Sequence, residues 1–116
     1  MHSIQNNAIS LTRGDSFSCE VGIKVNGETY TPASGDVIKF YMKRAMMNAQ
    51  KTAYVDAKPL IEKEIPNNTM ILHLDPNDTK SLLFGDYVYD CEITFAGGNT
   101  DTFINNAPFT LLPEVG

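Results

Sequence analysis

Phe17-Ser18-Cys19-Glu20-Val21-Gly22-Ile23-Lys24-Val25 decides the fold class, because every odd position is apolar and every even one is small or charged. A repeat of two puts alternate side chains on opposite faces of an extended chain, so the stretch predicts a strand with one buried face. Upstream, Ile9 and Leu11 form a shorter alternation, separated from it by the turn residues Arg13-Gly14-Asp15. Downstream, Asn26-Gly27 is a dipeptide that accepts positive φ and predicts a tight hairpin turn.

The same signal recurs along the chain. Ile38, Phe40 and Met42 alternate with Lys39, Tyr41 and Lys43, predicting a strand over 37–43 that is entered through Pro32-Ala33-Ser34-Gly35-Asp36. From Arg44 to Lys58 neither period is legible, and a long loop or a single irregular helical turn is expected there. Leu60 to Ile65 and Thr69 to Leu74 flank Pro66-Asn67-Asn68 and predict a hairpin. In Asp75-Pro76-Asn77-Asp78 the first residue can cap free amides and the proline suits a first helical position, so one short helical turn is expected near 76–83. Tyr87, Tyr89, Cys91, Ile93 and Phe95 then alternate with Val88, Asp90, Glu92 and Thr94, and Ala96-Gly97-Gly98-Asn99 turns the chain back into strands at 100–104 and 108–112. About seven short strands with one helical turn predict an all-β, immunoglobulin-like β-sandwich.

Composition bounds the rest. The 116 residues fit one domain, 1–116, long enough to build a core without a metal or disulfide, with residues 1–7 expected as a flexible tail. Nine Lys and Arg against fourteen Asp and Glu give a net charge of −5, which disfavours a nucleic-acid partner because phosphate binding needs clustered cations. The opening Met1-His2-Ser3-Ile4-Gln5-Asn6-Asn7 has no basic cluster or signal-length apolar run. No later stretch nears the ~20 apolar residues of a membrane span. Synthesis in the cytoplasm and no membrane partner are the expectations.

Cys19 and Cys91 fall in mid-strand, each flanked by apolar residues two positions away, where the two sheets of an immunoglobulin domain are bridged. They are read as a disulfide or as two buried thiols, the latter favoured in reducing cytosol. Tyr89, two residues before the second cysteine, occupies the place of a tyrosine corner. No Trp is present, a departure from antibody-type domains. Lys39, Tyr41 and Lys43 form a polar strand face that is either solvated or a protein contact surface, tyrosine being enriched in interfaces. Asp75 to Asp86 has the length of a calcium loop, but Lys80 stands where the loop needs glycine and no Glu closes it, so capping explains those acids. His2 and His73 are read as solvated, no Ser-His-Asp set is expected from so few partners, and no cofactor or metal site is predicted.

Several longer runs carry a resemblance: Leu11-Thr12-Arg13-Gly14-Asp15-Ser16-Phe17, Pro59-Leu60-Ile61-Glu62-Lys63-Glu64-Ile65, Leu74-Asp75-Pro76-Asn77-Asp78-Thr79, Gly85-Asp86-Tyr87-Val88-Tyr89-Asp90, Gly98-Asn99-Thr100-Asp101-Thr102-Phe103-Ile104 and Phe109-Thr110-Leu111-Leu112-Pro113-Glu114-Val115. With these the chain resembles small β-sandwich proteins encoded in phages and prophages of Gram-positive bacteria, similar in kind to the N-terminal domain of upper baseplate proteins. Arg44 to Lys58 lies outside the likeness, being longer than usual for the group. The resemblance implies a non-enzymatic tail or baseplate component that contacts other phage structural proteins or itself and ends in the virion. It brings no catalytic residues. The other reading is a bacterial surface or carbohydrate-binding immunoglobulin-like module, which needs an export route and exposed aromatics over a concave sheet.

Overall fold

The computed structural model describes residues 2–5, 7–25, 27–47, 53–55 and 58–113. The chain is all-β, with one helical turn. Its strands are β1 (His2–Gln5), β2 (Ala8–Thr12), β3 (Phe17–Glu20), β4 (Lys24–Val25), β5 (Glu28–Thr29), β6 (Val37–Met47), β7 (Ala53–Val55), β8 (Ile61–Ile65), β9 (Ile71–Leu74), β10 (Gly85–Thr94) and β11 (Thr100–Leu112), and α1 (Pro76–Thr79) precedes β10. A large curled sheet runs β1-β2-β11-β10-β6-β7, with β8 also on β6; β3 and β9 form a small second sheet, and β4 and β5 a hairpin. β7 and β8 share one edge of β6: β8 pairs with Ile38 to Met42, β7 with Ala45 to Met47. β2 runs parallel to β11, the other pairs being antiparallel.

Alternation decides what is buried. On the large sheet Ile9 and Leu11 of β2, Ile38, Phe40 and Met42 of β6, Tyr87, Tyr89, Cys91 and Ile93 of β10, and Phe109 and Leu111 of β11 all face inward. They meet Phe17, Leu72 and Leu74 of the small sheet in one continuous cluster. At its centre the Phe40 ring lies 5.4 Å from that of Tyr89 and 6.5 Å from that of Phe109, with Tyr89 edge-on to Phe109 at 6.3 Å. Truncating a ring so placed to alanine costs about 3–5 kcal/mol, through lost transfer energy and the hole left behind.

Several expectations are corrected by the ladders. The strands expected at 100–104 and 108–112 are one, β11. Phe17 to Val25 is not one strand: β3 pairs with β9, whereas β4 pairs with β5. The alternation survives because Ile23 still points into the core; period two reports which face is buried, not which strand is the neighbour. β8 and β9 are not a hairpin but belong to different sheets. Met70, at φ 55, turns the chain between them, its N–H donating to the Pro66 carbonyl at 2.8 Å and its carbonyl accepting from the Val21 N–H at 2.8 Å. The expected tail is a strand from His2 to Gln5, because folding back on β2 gives its backbone hydrogen-bond partners. The expected 44–58 loop begins with the end of β6 and contains β7; its residues 48–52, 56 and 57, like Met1 and Asn6 of the tail, lie outside the described residues. The predicted Asn26-Gly27 hairpin is present as β4 and β5, with Gly27 at φ 80, although Asn26 lies outside the described residues.

Asp36 secures the end of the fold where the 30–36 loop meets the 95–99 turn. Its carboxylate accepts from the Tyr30 hydroxyl at 2.5 Å, the Ala33 N–H at 2.8 Å and the Ala96 N–H at 3.1 Å. Gly35 beside it has φ 94, and a Cβ there would lie 3.0 Å from the Ala96 Cβ, so the approach of the two loops requires glycine. The Tyr30 hydrogen bond, followed by that from Ala33, holds the Asp36 carboxyl below its ordinary value of 3.8. With the folded value below the unfolded one, its contribution is complete above about pH 4 and disappears as pH falls through the folded value. Urea titration of the protein and of Asp36→Asn should therefore show a midpoint gap at about pH 6 that narrows as the pH falls below about 4; a gap unchanged by pH would reject this role.

Candidate functional site

The two cysteines arrive from different sheets. Cys19 is on β3 and Cys91 on β10, both are free thiols, and both line a cavity of about 80 Å³ with Ile9, Val21, Leu72 and Ile104. Burial pushes the Cys91 thiol up to about 12, with the neighbouring Cys19 and Asp90 adding to the effect, and burial also raises Cys19. A thiol is nucleophilic as the thiolate, so both are held in the inert form at neutral pH. Tyr89 donates its hydroxyl to the Asn7 carbonyl at 2.5 Å, tying β10 to the turn before β2.

A tyrosine corner is expected at Tyr89, but it is Tyr87 whose hydroxyl reaches back along the chain, donating to the Leu83 carbonyl four residues upstream at 2.5 Å. Both tyrosines face inward on β10, so alternation alone does not choose between them; the choice follows from the loop that each hydroxyl reaches. The Tyr87 hydrogen bond fixes the segment after α1. Thr79, fully buried, accepts from the Gly14 N–H at 3.0 Å. Arg13 Nη1 donates to the Leu82 carbonyl at 3.0 Å, and its guanidinium carbon lies 5.4 Å from the centre of the Phe84 ring. On this support Leu83 and Phe84 stand 76% and 55% exposed. Leu112, also exposed, receives the Arg13 N–H at its carbonyl at 2.9 Å. Sequence reading missed this apolar tip because Leu82-Leu83-Phe84 reads equally as the buried end of a helical turn.

The face at Lys39, Tyr41 and Lys43 is half-buried and largely engaged within its own sheet. Lys43 Nζ is 2.5 Å from Asp90 Oδ2, Tyr41 donates to Glu92 at 3.0 Å, and Lys39 lies 3.9 Å from Glu62. Burial, then the Glu92 hydrogen bond, pushes the Tyr41 phenol up to about 12. The other oxygen of Asp90 accepts from the Asn106 N–H at 2.6 Å.

A Ser-His-Asp set, unexpected from sequence, is assembled on the small sheet. Ser18 is the cross-strand partner of His73, its Oγ is 2.7 Å from His73 Nδ1, and His73 Nε2 is 2.8 Å from Asp75 Oδ1. An ionised carboxylate can only accept, so Nε2 donates to Asp75 and Nδ1 of the neutral ring accepts from Ser18. The strand register that joins residues so far apart in sequence was its missing signal. The histidine and aspartate side chains are more than half exposed, in a setting of high dielectric where charge developing on a reacting group gains little. The relay joins β3 to the residue that precedes α1, where the Asp75 N–H donates to Asp78 at 2.7 Å and Lys63 lies 3.0 Å from the same carboxylate. Asp75, read as a capping residue, and Asp78 are thus both engaged within the chain. Among the described residues no group of three or more His, Cys, Asp or Glu gathers as a metal site, and no helix is long and apolar enough to cross a membrane.

Comparison of the chain with protein-family models, with curated proteins and with solved structures finds no match in any of the three.

Two outcomes follow from these environments. Iodoacetamide at about pH 8 should modify Cys91 at least roughly a hundredfold more slowly than in urea, as its raised pKa and burial require; comparable rates would show the thiol to be open. A fluorophosphonate probe should leave Ser18 unmodified in the folded protein, and stoichiometric labelling that His73→Ala abolishes would make the relay a nucleophilic site.

Proposed function

We propose that this domain is a non-enzymatic assembly module, a tail or baseplate component of a phage or prophage virion, which binds other structural proteins or its own copies through the end bearing Leu83 and Phe84. The observation that carries the reading is the exposed apolar pair on a rigid mount. Exposed leucines are ordinary, but two adjacent large apolar side chains held out by the Tyr87 and Arg13 hydrogen bonds are pre-ordered for contact, which lowers the entropy lost on binding. The phage assignment draws its support from the resemblance of the turn and strand motifs to phage-encoded sandwich proteins.

The immunoglobulin-like reading of the fold belongs to the same proposal. In such sandwiches the third, sixth and seventh strands lie side by side in one sheet, and the second and fifth in the other. The adjacency of β6, β10 and β11, the separate pairing of β3 with β9, and the helical turn before β10 with its Tyr87 hydrogen bond all support that assignment. β7 and β8 then take the place of the extra edge strand of variable-type domains.

Light scattering after size exclusion tests the contact, using the chain alone and mixed with each protein encoded by its neighbouring genes. A defined oligomer or mixed complex is expected, and Leu83→Asp with Phe84→Asp should weaken it at least about tenfold, as loss of central apolar anchors does, while circular dichroism stays unchanged. A complex indifferent to both substitutions would reject the tip as the contact. A chain that stays monomeric with every neighbour and is retained on a glycan column would reject the assembly role in favour of carbohydrate binding.

A further inference from the structure

The edge of β11 is only half used. β10 lines one side from Thr94↔Thr100 to Gly85↔Leu111, but on the other side β2 is matched only from Ile9↔Phe109 to Thr12↔Leu112. Among the described residues no strand pairs with Thr100 to Asn106 on that second side. This edge opens into a groove of about 640 Å³, walled by Asp101, Thr102, Phe103 and Ile104 on one flank and by Gly22, Ile23, Lys24 and Thr29 on the other. Open backbone edges accept extended chains, and here Ile23, buried, with Phe103 and Ile104, partly buried, supplies apolar floor.

The strand register identifies an occupant. β2 pairs in parallel with β11 at a constant offset of 100, Ile9 with Phe109 through Thr12 with Leu112. Carried up the same edge, past the two extra residues that β11 holds between Ala107 and Thr102, that lane leads from β2 toward the unpaired stretch Thr100 to Asn106. β1 instead leaves this lane at Asn7, whose φ of 67 turns the chain back so that β1 pairs with the outer edge of β2. Asn7 itself lines the groove, so the departure point sits at the mouth of the open lane. Four residues of β1 thus have two seats, one on β2 and one on β11, with Asn7, in left-handed backbone, at the point where the two paths part.

We propose that the groove beside Thr100–Asn106 is a strand-acceptor site whose occupant is the chain's own N-terminal strand, exchanging between the outer edge of β2 and the open edge of β11. Own-chain delivery follows from continuity, since β2 already lies in the lane and Asn7, just before it, lines the groove. With β1 on β2 the acceptor edge is open to an extended segment of a partner; with β1 in the groove that edge is closed and the outer edge of β2 is freed.

Hydrogen exchange on the full chain and on two variants tests this. Valine strongly disfavours positive φ and glycine accepts it, so Asn7→Val should drive β1 into the groove and Asn7→Gly should keep it on β2. Amide exchange over Thr100–Asn106 is expected to slow by roughly fivefold in Asn7→Val and to quicken in Asn7→Gly, with the opposite changes on β2. These rates should not depend on protein concentration. Equal exchange over 100–106 in all three proteins would overturn the proposal, and protection that rises with concentration would put a second copy's strand in the groove and overturn own-chain occupancy. If Asn7→Val fails to fold, the glycine variant decides alone: faster exchange is expected there, and unchanged exchange rejects the second seat.

Discussion

The carboxylate of Asp90 is the constraint on which the large sheet depends. It stands in the middle of β10, almost wholly buried, and its two oxygens are divided between the flanking strands: one holds Lys43 of β6, the other the Asn106 N–H of β11. A carboxylate taken out of water is costly unless charge and hydrogen bonds replace the lost solvent. Here the replacement comes from both neighbours, so each must stay in register for the charge to be tolerated. The grip on β11 coincides with its irregularity. From Tyr89 to Cys91 the partner moves from Ala107 to Ile104, three residues against two, and from Cys91 to Glu92 it moves from Ile104 to Thr102, two against one. β11 therefore carries an extra residue at each step, and Asn106 takes φ 51 beside the first. Bulges of this kind bend a strand and raise its twist. The upper half of β11 diverges from the line of its lower half, and only the lower half is matched by β2.

The core follows from that bend. A curled sheet has a concave face, and the small sheet of β3 and β9 lies against it, bringing Phe17, Leu72 and Leu74 onto the Phe40, Tyr89 and Phe109 cluster. Two thiols rather than a cross-link lie at this junction. Dispersion and apolar burial close it, with hydroxyls at the margins: Tyr89 reaches the turn before β2, Tyr87 the loop after α1, and Tyr30 the Asp36 carboxylate. Each tyrosine buries a ring and delivers its hydroxyl to a loop acceptor at the rim, which fixes loops that would otherwise carry little apolar contact.

Legibility in the sequence divides along the same line. The inward sets of β2, β6 and β10, the Asn26-Gly27 turn and the α1 cap were all readable because period two, positive-φ dipeptides and capping residues are local consequences of local chemistry. Partner choice was not. Ile61 and Ile65 of β8 and Leu72 and Leu74 of β9 have the same inward spacing whether their strands pair together or lie in opposite sheets, and a methionine at φ 55 announces no turn. β1 escaped notice because its pairing rests on backbone groups, which any residue but proline possesses. The polar contacts behaved likewise. Lys39, Tyr41 and Lys43 were identifiable as an outward face, yet Glu62, Asp90 and Glu92 engage them through register, just as register joins Ser18 to His73.

Three kinds of surface emerge, and their physics differs. The outward face of β6 and β10 has its charges paired internally, so a partner docking there would have to replace existing hydrogen bonds and gain little net energy. The apolar tip at Leu83 and Phe84 has no such competition: its side chains are presented to water while its backbone is fixed from Arg13 and Tyr87. The upper edge of β11, unmatched among the described residues, offers backbone groups in place of side chains, the groups through which open sheet edges take strands largely irrespective of sequence. If both proposed contacts hold, one through side chains and one through backbone on separate elements, the domain joins two neighbours at once. Repetition of such a unit builds an assembly without requiring either contact to be strong alone, because the second engagement is intramolecular once the first has formed.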